Sequence, residues 1–215
     1  MLSFRPNISA NATVLCLGAH CDDIEIGCSG TLLELQQRYP GLRFVWIVFS
    51  GDEQRAAETR NAARQLLGVA PECVVEVLQF RGSYFPYSGA DIKDAFESIK
   101  SRYTPELIFT HCLLDRHQDH RVIAELTWNT FRDHSILEYE IAKFEGDLLQ
   151  PGVYVPLSVA NLQRKVDTLM QCFKSQHTRS WFDPELFKGQ MRLRGIECNA
   201  PSRYAEAFHG RKMVL

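Results

Sequence analysis

The chain has 215 residues, 45% of them hydrophobic and 23% charged, with a formal net charge of −2. That length and balance predict one soluble globular domain spanning residues 1–215. They exclude the basic footprint expected of a protein that binds nucleic acid or an anionic membrane surface. The first 18 residues lack the charged start and long apolar core of a leader, and no apolar run approaches the ~18 residues of a membrane helix. Seven cysteines, an odd number without a CxxC pair, read as reduced thiols and so as a cytoplasmic protein.

In chain order, "TVLCLG" (13–18) is a short continuous apolar run and reads as a strand. A helical stretch around "GTLLELQQRYP" follows, closed by Pro40 and Gly41. "RFVWIVFS" (43–50) is a second strand, and "EQRAAETRNAARQLLG" (53–68) a helix stopped by Gly68. Strand 73–78, helix 90–103, strand 106–111 and helix 120–133 continue the alternation. Beyond them the pattern loosens, with strands expected over 136–144 and 152–158 and a helix over 159–173. Strands alternating with helices at this spacing predict an α/β fold with a mainly parallel, helix-covered sheet. Continuous strand hydrophobicity agrees, because a parallel sheet is buried on both faces.

In such folds ligands collect at the carboxyl ends of the strands. "GAHCDDIEIGC" (18–28) follows the first strand, and "HCLLDRHQDHR" (111–121) begins at the end of the fourth. Two clusters of His and Asp are therefore delivered to one rim. The pairs His20/Asp23 and His117/His120 share a three-residue spacing that brings side chains together on a helical turn. One pair from each cluster would give a divalent cation two imidazoles and a carboxylate, with positions open for water and substrate. Asp22 then suits a general base, and the remaining histidine of the second cluster suits an oxyanion donor, held by Asp119 or Asp115. Spacing alone leaves open which of His117 and His120 is the ligand.

The pair "AHCDDIEIGCSGTL" and "DRHQDHR" resembles the motifs A-H-P-D-D-x-E and H-x-D-H of the LmbE/PIG-L family of metal-dependent N-deacetylases. The similarity extends to Arg55 and Glu58, to "ELIFTH", to Ser175–Gln176 and to the terminal "YAEAF" (204–208). It implies a Rossmann-like three-layer sandwich. Carried over, it implies His20, Asp23 and His120 as metal ligands, Asp22 as base, and His117 polarising the transition state with Asp119 behind it. The implied cofactor is Zn2+, with Fe2+ accepted by the same donors, and the implied substrate is an N-acetylated amino sugar or its conjugate. Cys21 and Gln118 replace prolines of the family pattern, and the Cys21 thiol is a further, weaker metal donor.

Arg55 and Asp52, just past the second strand, are candidates for sugar contact, and Glu25 for anchoring the loop. The aromatics of "FRGSYFPYSG" (80–89) suit either stacking on a sugar or plain packing, and Tyr204 and Glu206 suit a supporting place near the site. His111 reads as a structural hydrogen-bonder at a strand end. Two other functions use the same residues: a facial-triad iron oxygenase, and a metal-dependent sugar-binding protein without turnover. The oligomeric state is open, and a homo-oligomer is compatible with this surface.

Overall fold

A computed structural model of the chain describes residues 6–68 and 73–213. The leader expectation for residues 1–18 therefore lies partly outside the described residues, at 1–5. Strands β1 (Thr13–His20), β2 (Arg43–Ser50), β3 (Cys73–Val77), β4 (Pro105–His111), β5 (Ser135–Tyr139), β6 (Val153–Pro156) and β7 (Ala205–Gly210) form one sheet. Its order is β3-β2-β1-β4-β5-β7-β6. The first five strands of the chain pair parallel, while β7 pairs antiparallel with both β5 and β6.

Alternate residues of the central strands feed two apolar layers, as the two-residue period of a strand requires. Val14, Cys16, Phe44 and Trp46 face helices α1 (Asp23–Arg38), α2 (Glu53–Leu67), α5 (Val159–Cys172) and α6 (Pro184–Glu197). Leu15, Leu17, Val45 and Ile47 face α3 (Gly89–Arg102) and α4 (Gln118–Thr130). The result is a three-layer α/β sandwich with a mostly parallel sheet. No helix among the described residues is long and apolar enough to cross a membrane. All seven cysteines are free thiols.

The largest departure from the sequence reading is α1, which begins at Asp23 rather than near Gly30. Its first two turns are buried on every side, so they carry no amphipathic stripe for a periodicity argument to find. Helix α6 and strand β7 were not foreseen either. β5 ends at Tyr139, five residues before the expected limit.

Strand β7 delivers Glu206 into the layer between sheet and α1, where its contacts are with helix backbone and Lys165 rather than with either His/Asp cluster. There it accepts the N–H groups of Gly30 (2.9 Å) and Thr31 (2.6 Å) and pairs with buried Lys165. The Lys165 ammonium also donates to the Ile26 carbonyl at 2.5 Å. The pair thus ties α1 to α5 and β7.

The order of strands places the topological switch between β1 and β4, because the chain winds outward from β1 to β3 and then returns across it. Tyr139 sits beneath this crevice, its hydroxyl donating to the Leu17 carbonyl at 2.7 Å. A Cβ on Gly27 would lie 2.6 Å from Cγ of the fully buried Tyr139 ring, which has no room to retreat. Gly27→Ala is therefore expected to cost about 2 kcal/mol by overpacking, read as a lower urea midpoint at unchanged slope.

Candidate active site

His20 is the last residue of β1, and His111 the last of β4. Between His20 and α1 the chain turns through Asp22, whose φ of 111° is in the left-handed region that non-glycine residues avoid. Strain of that kind persists where the surroundings hold it. Here the Asp22 carboxylate accepts from Arg55 Nη2 at 2.9 Å, and the same guanidinium donates to the Cys21 carbonyl. The reversal moves Asp23 back toward the strand, where its Oδ2 accepts the His20 N–H at 2.7 Å. His20 and Asp23 thus meet across a strand end and a helix start, not on one helical turn as their spacing suggested.

The second cluster is the start of α4. His117 is the N-cap, its Nδ1 accepting the Asp119 N–H at 3.2 Å, and His120 lies in the first turn. His20 Nδ1 lies 3.3 Å from His120 Nε2 and 3.5 Å from Asp23 Oδ2, and His120 Nε2 lies 3.6 Å from Asp23 Oδ1. The two Asp23 distances run to different oxygens, and donors taken one atom per residue close up as His20, His117 and His120 and as Asp23, His111 and His120, with His120 common to both sets. His20, Asp23 and His120 draw on both sets, and a cation between the two sets would be within reach of all three. His117 and His111 flank them, each within donor distance of His120.

Each imidazole of the trio has a carboxylate on its other nitrogen. His20 Nε2 is 3.0 Å from Asp119 Oδ2, and His120 Nδ1 is 2.9 Å from Asp115 Oδ2. Carboxylates in that position fix ring orientation and tautomer, and they raise the basicity of the free nitrogen. The arrangement corrects the expectation that Asp119 or Asp115 stands behind His117. The side chain of Asp119 crosses instead to His20, held by the N–H groups of Ser83 and Phe85. Asp115 reaches His117 only through the backbone N–H, at 2.7 Å. Nothing in sequence order links Asp119 to a residue 99 positions earlier; only the β1–β4 neighbourhood does.

His111, foreseen as a structural group, packs under the trio. Its Nε2 accepts the Ala19 N–H at 2.9 Å and lies 3.1 Å from Asp23 Oδ2, and its ring stacks on His120. The Cys21 sulfur points away, toward the Ser50 carbonyl, and burial pushes its thiol up to about 12, so it contributes no thiolate to the trio.

Asp52 caps α2, accepting the Arg55 N–H at 2.8 Å. Glu25 does not anchor the loop: both oxygens are buried without a partner among the described residues, and burial holds its carboxyl well above the usual range. The distant Ser175 joins this neighbourhood by donating its N–H and hydroxyl to Glu58. Phe85 of the 80–89 segment packs toward His20, whereas Tyr84 and Tyr87 are exposed.

A profile of the PIG-L family, described as GlcNAc-PI de-N-acetylase, matches residues 15–131, which contain both clusters. The chain belongs to the PIG-L (LmbE-like) deacetylase family. It is accordingly a hydrolase acting on amide bonds. Similarity to an uncharacterized deacetylase, YaiS, of Escherichia coli K12 reaches 30% identity over 141 residues, 59% of this chain and 72% of that one. Among solved structures, N,N'-diacetylchitobiose deacetylase of Pyrococcus horikoshii superposes with a TM-score of 0.68 at 19% identity, covering 93% of this chain and 84% of that one. The 4-carboxy-2-hydroxymuconate hydratase GalB of Pseudomonas putida gives 0.76 at 16% identity, covering 95% and 98%. These two likenesses concern the fold, which evidently carries more than one reaction. Neither the oxygenase nor the binding-protein alternative is favoured.

Different partners set the two histidines of the trio apart. For His20, hydrogen bonds to Asp119 and Asp23 outweigh desolvation and raise its pKa to about 10. For His120, desolvation and the neighbouring His111 prevail over Asp23 and Asp115 and lower it to about 3. In metal-free protein at pH 7, His20 is therefore expected as imidazolium and His120 as neutral imidazole. Ring 15N shifts recorded between pH 5 and 8 check this, and a neutral His20 across that range would contradict it.

Proposed function

We propose that this protein is a zinc-dependent N-deacetylase that releases acetate from an N-acetylated amino sugar or sugar conjugate. In this reading His20, Asp23 and His120 hold the cation, Asp22 is the general base and His117 the oxyanion donor. The observation that carries it is the donor trio at 3.3–3.6 Å, with a carboxylate behind each imidazole and a second buried aspartate adjoining it. Ferrous iron fits the same donors, and zinc is assigned because hydrolysis needs a Lewis acid without redox chemistry. When bound, the cation supplies charge to the amide carbonyl and lowers the pKa of a water to ~7.

The chain's own residues do the rest. Asp22, raised to about 7 by burial despite Arg55, is poised to take a proton from the attacking water near neutrality. Arg55 keeps that carboxylate in place, and its side chain, a quarter exposed, is the first residue we assign to the sugar-facing edge. Asp52, capping the same helix, is the second residue we assign to the sugar-facing edge. His117 accepts the Asp119 N–H at Nδ1, so its proton sits on Nε2. It therefore donates to the developing oxyanion as a neutral ring, in keeping with the downward pull of burial and His20 on its pKa. Asp22 then returns the proton to the leaving amine, giving free amine and acetate.

A panel of N-acetylated sugars, free, nucleotide-linked and lipid-linked, assayed for acetate and new primary amine, tests the reading. Wild-type, zinc-loaded protein is expected to deacetylate at least one member, and chelation to abolish that activity until zinc returns. Asp22→Asn is expected to lower kcat by roughly 10²–10⁴ with zinc uptake unchanged. Undiminished turnover in that variant would remove Asp22 from the mechanism.

A further inference from the structure

The β5–β6 connection, residues 140–152, belongs to neither motif, yet it closes on the turn that carries His117 and His120. Lys143 Nζ donates to Asp115 Oδ2 at 3.0 Å and to both oxygens of Asp147 at 2.8 Å. Asp147 in turn accepts the Arg116 N–H at 2.7 Å. Gly146, at φ 58°, makes the tight turn that lets Lys143 and Asp147 face each other. Both ends of the loop are stitched to α6, where Arg194 pairs with Glu140 and donates to the Leu149 carbonyl. The loop is thus anchored on one side and grips Asp115 on the other.

Asp115 Oδ2 is also the acceptor for His120 Nδ1, while Oδ1 accepts the His117 N–H. One carboxylate therefore has three partners, and Lys143 is the only one of them outside its own turn. Without Lys143, the His117 N–H and His120 alone would have to hold the carboxylate. The side chains of Lys143 and Asp115 are 11% and 4% exposed, so little water is available to replace the lost partner.

We infer that Lys143 is a positioning residue: through Asp115 it sets the orientation of His120, and so the cation affinity of the site depends on a loop outside both motifs. The inference rests on the cation site proposed above and deepens it. A merely structural clamp would affect unfolding alone, whereas positioning affects how the trio binds metal in the folded protein.

The test uses full-length, metal-stripped protein titrated with Zn2+ against a chromophoric chelator, and with Co2+ followed by visible absorption. Circular dichroism is recorded on the same samples. Lys143→Met is expected to weaken Zn2+ binding roughly tenfold or more and to alter the Co2+ bands with secondary structure retained. Lys143→Arg is expected to recover most of the affinity. Asp147→Asn, which removes the charge of the lysine's second anchor, is expected to shift affinity in the same direction by less. The inference is overturned if Lys143→Met and Asp147→Asn bind both metals as wild type does. It is also overturned if Lys143→Met loses affinity only with its fold and Asp147→Asn is unaffected. Wild-type protein that takes up neither metal would remove the cation site itself, and the inference with it.

Discussion

Asp23 is a buried carboxylate among three imidazoles, within 3.1 Å of His111, 3.5 Å of His20 and 3.6 Å of His120. A carboxylate taken out of water is costly unless opposite charge or donors surround it. Here the His20 N–H, at 2.7 Å, and the His20 imidazolium supply compensation, and Asp23 is held well below the usual carboxylate range. His20, His111 and His120 come from the end of β1, the end of β4 and the first turn of α4, so the arrangement exists only when β1 and β4 are neighbours. The parallel sheet and its switch point are thus conditions for the site as well as its frame.

Around this centre, charge is arranged in pairs that each fix a direction. Arg55 holds Asp22, Asp119 holds His20, and Asp115 holds His120. Each partner comes from a different stretch of chain: α2, the start of α4, and the turn after β4. A ring held at one nitrogen presents its other nitrogen in a defined tautomer, which a metal or a proton donor both require. The orphaned Glu25 and the left-handed Asp22 show where local stability is given up beside these residues.

The family membership and the geometry answer different questions. Membership makes the chain a hydrolase of amide bonds, while the fold is also that of a hydratase. What distinguishes one chemistry from another on a shared fold is the site itself. The adjacent Asp22 and Asp23 are therefore the informative pair, because only the second faces the other donors and the first stays with Arg55.

The α/β alternation, the first four strands of a mainly parallel sheet and the two His/Asp clusters were legible along the chain, because hydrophobic period and strand ends are local properties. The sequence also contained the match between "HCDD" and "HQDH". Partnership was decided by tertiary structure alone. Asp119 serves His20 rather than His117, Glu206 serves α1 and Lys165 rather than either His/Asp cluster, and Lys143 reaches Asp115 from an irregular loop. The hidden start of α1 has the same origin, since a helix buried on every side keeps no polar face to mark its period. A side chain's partner depends on which strand ends lie side by side, and spacing along the chain does not encode that.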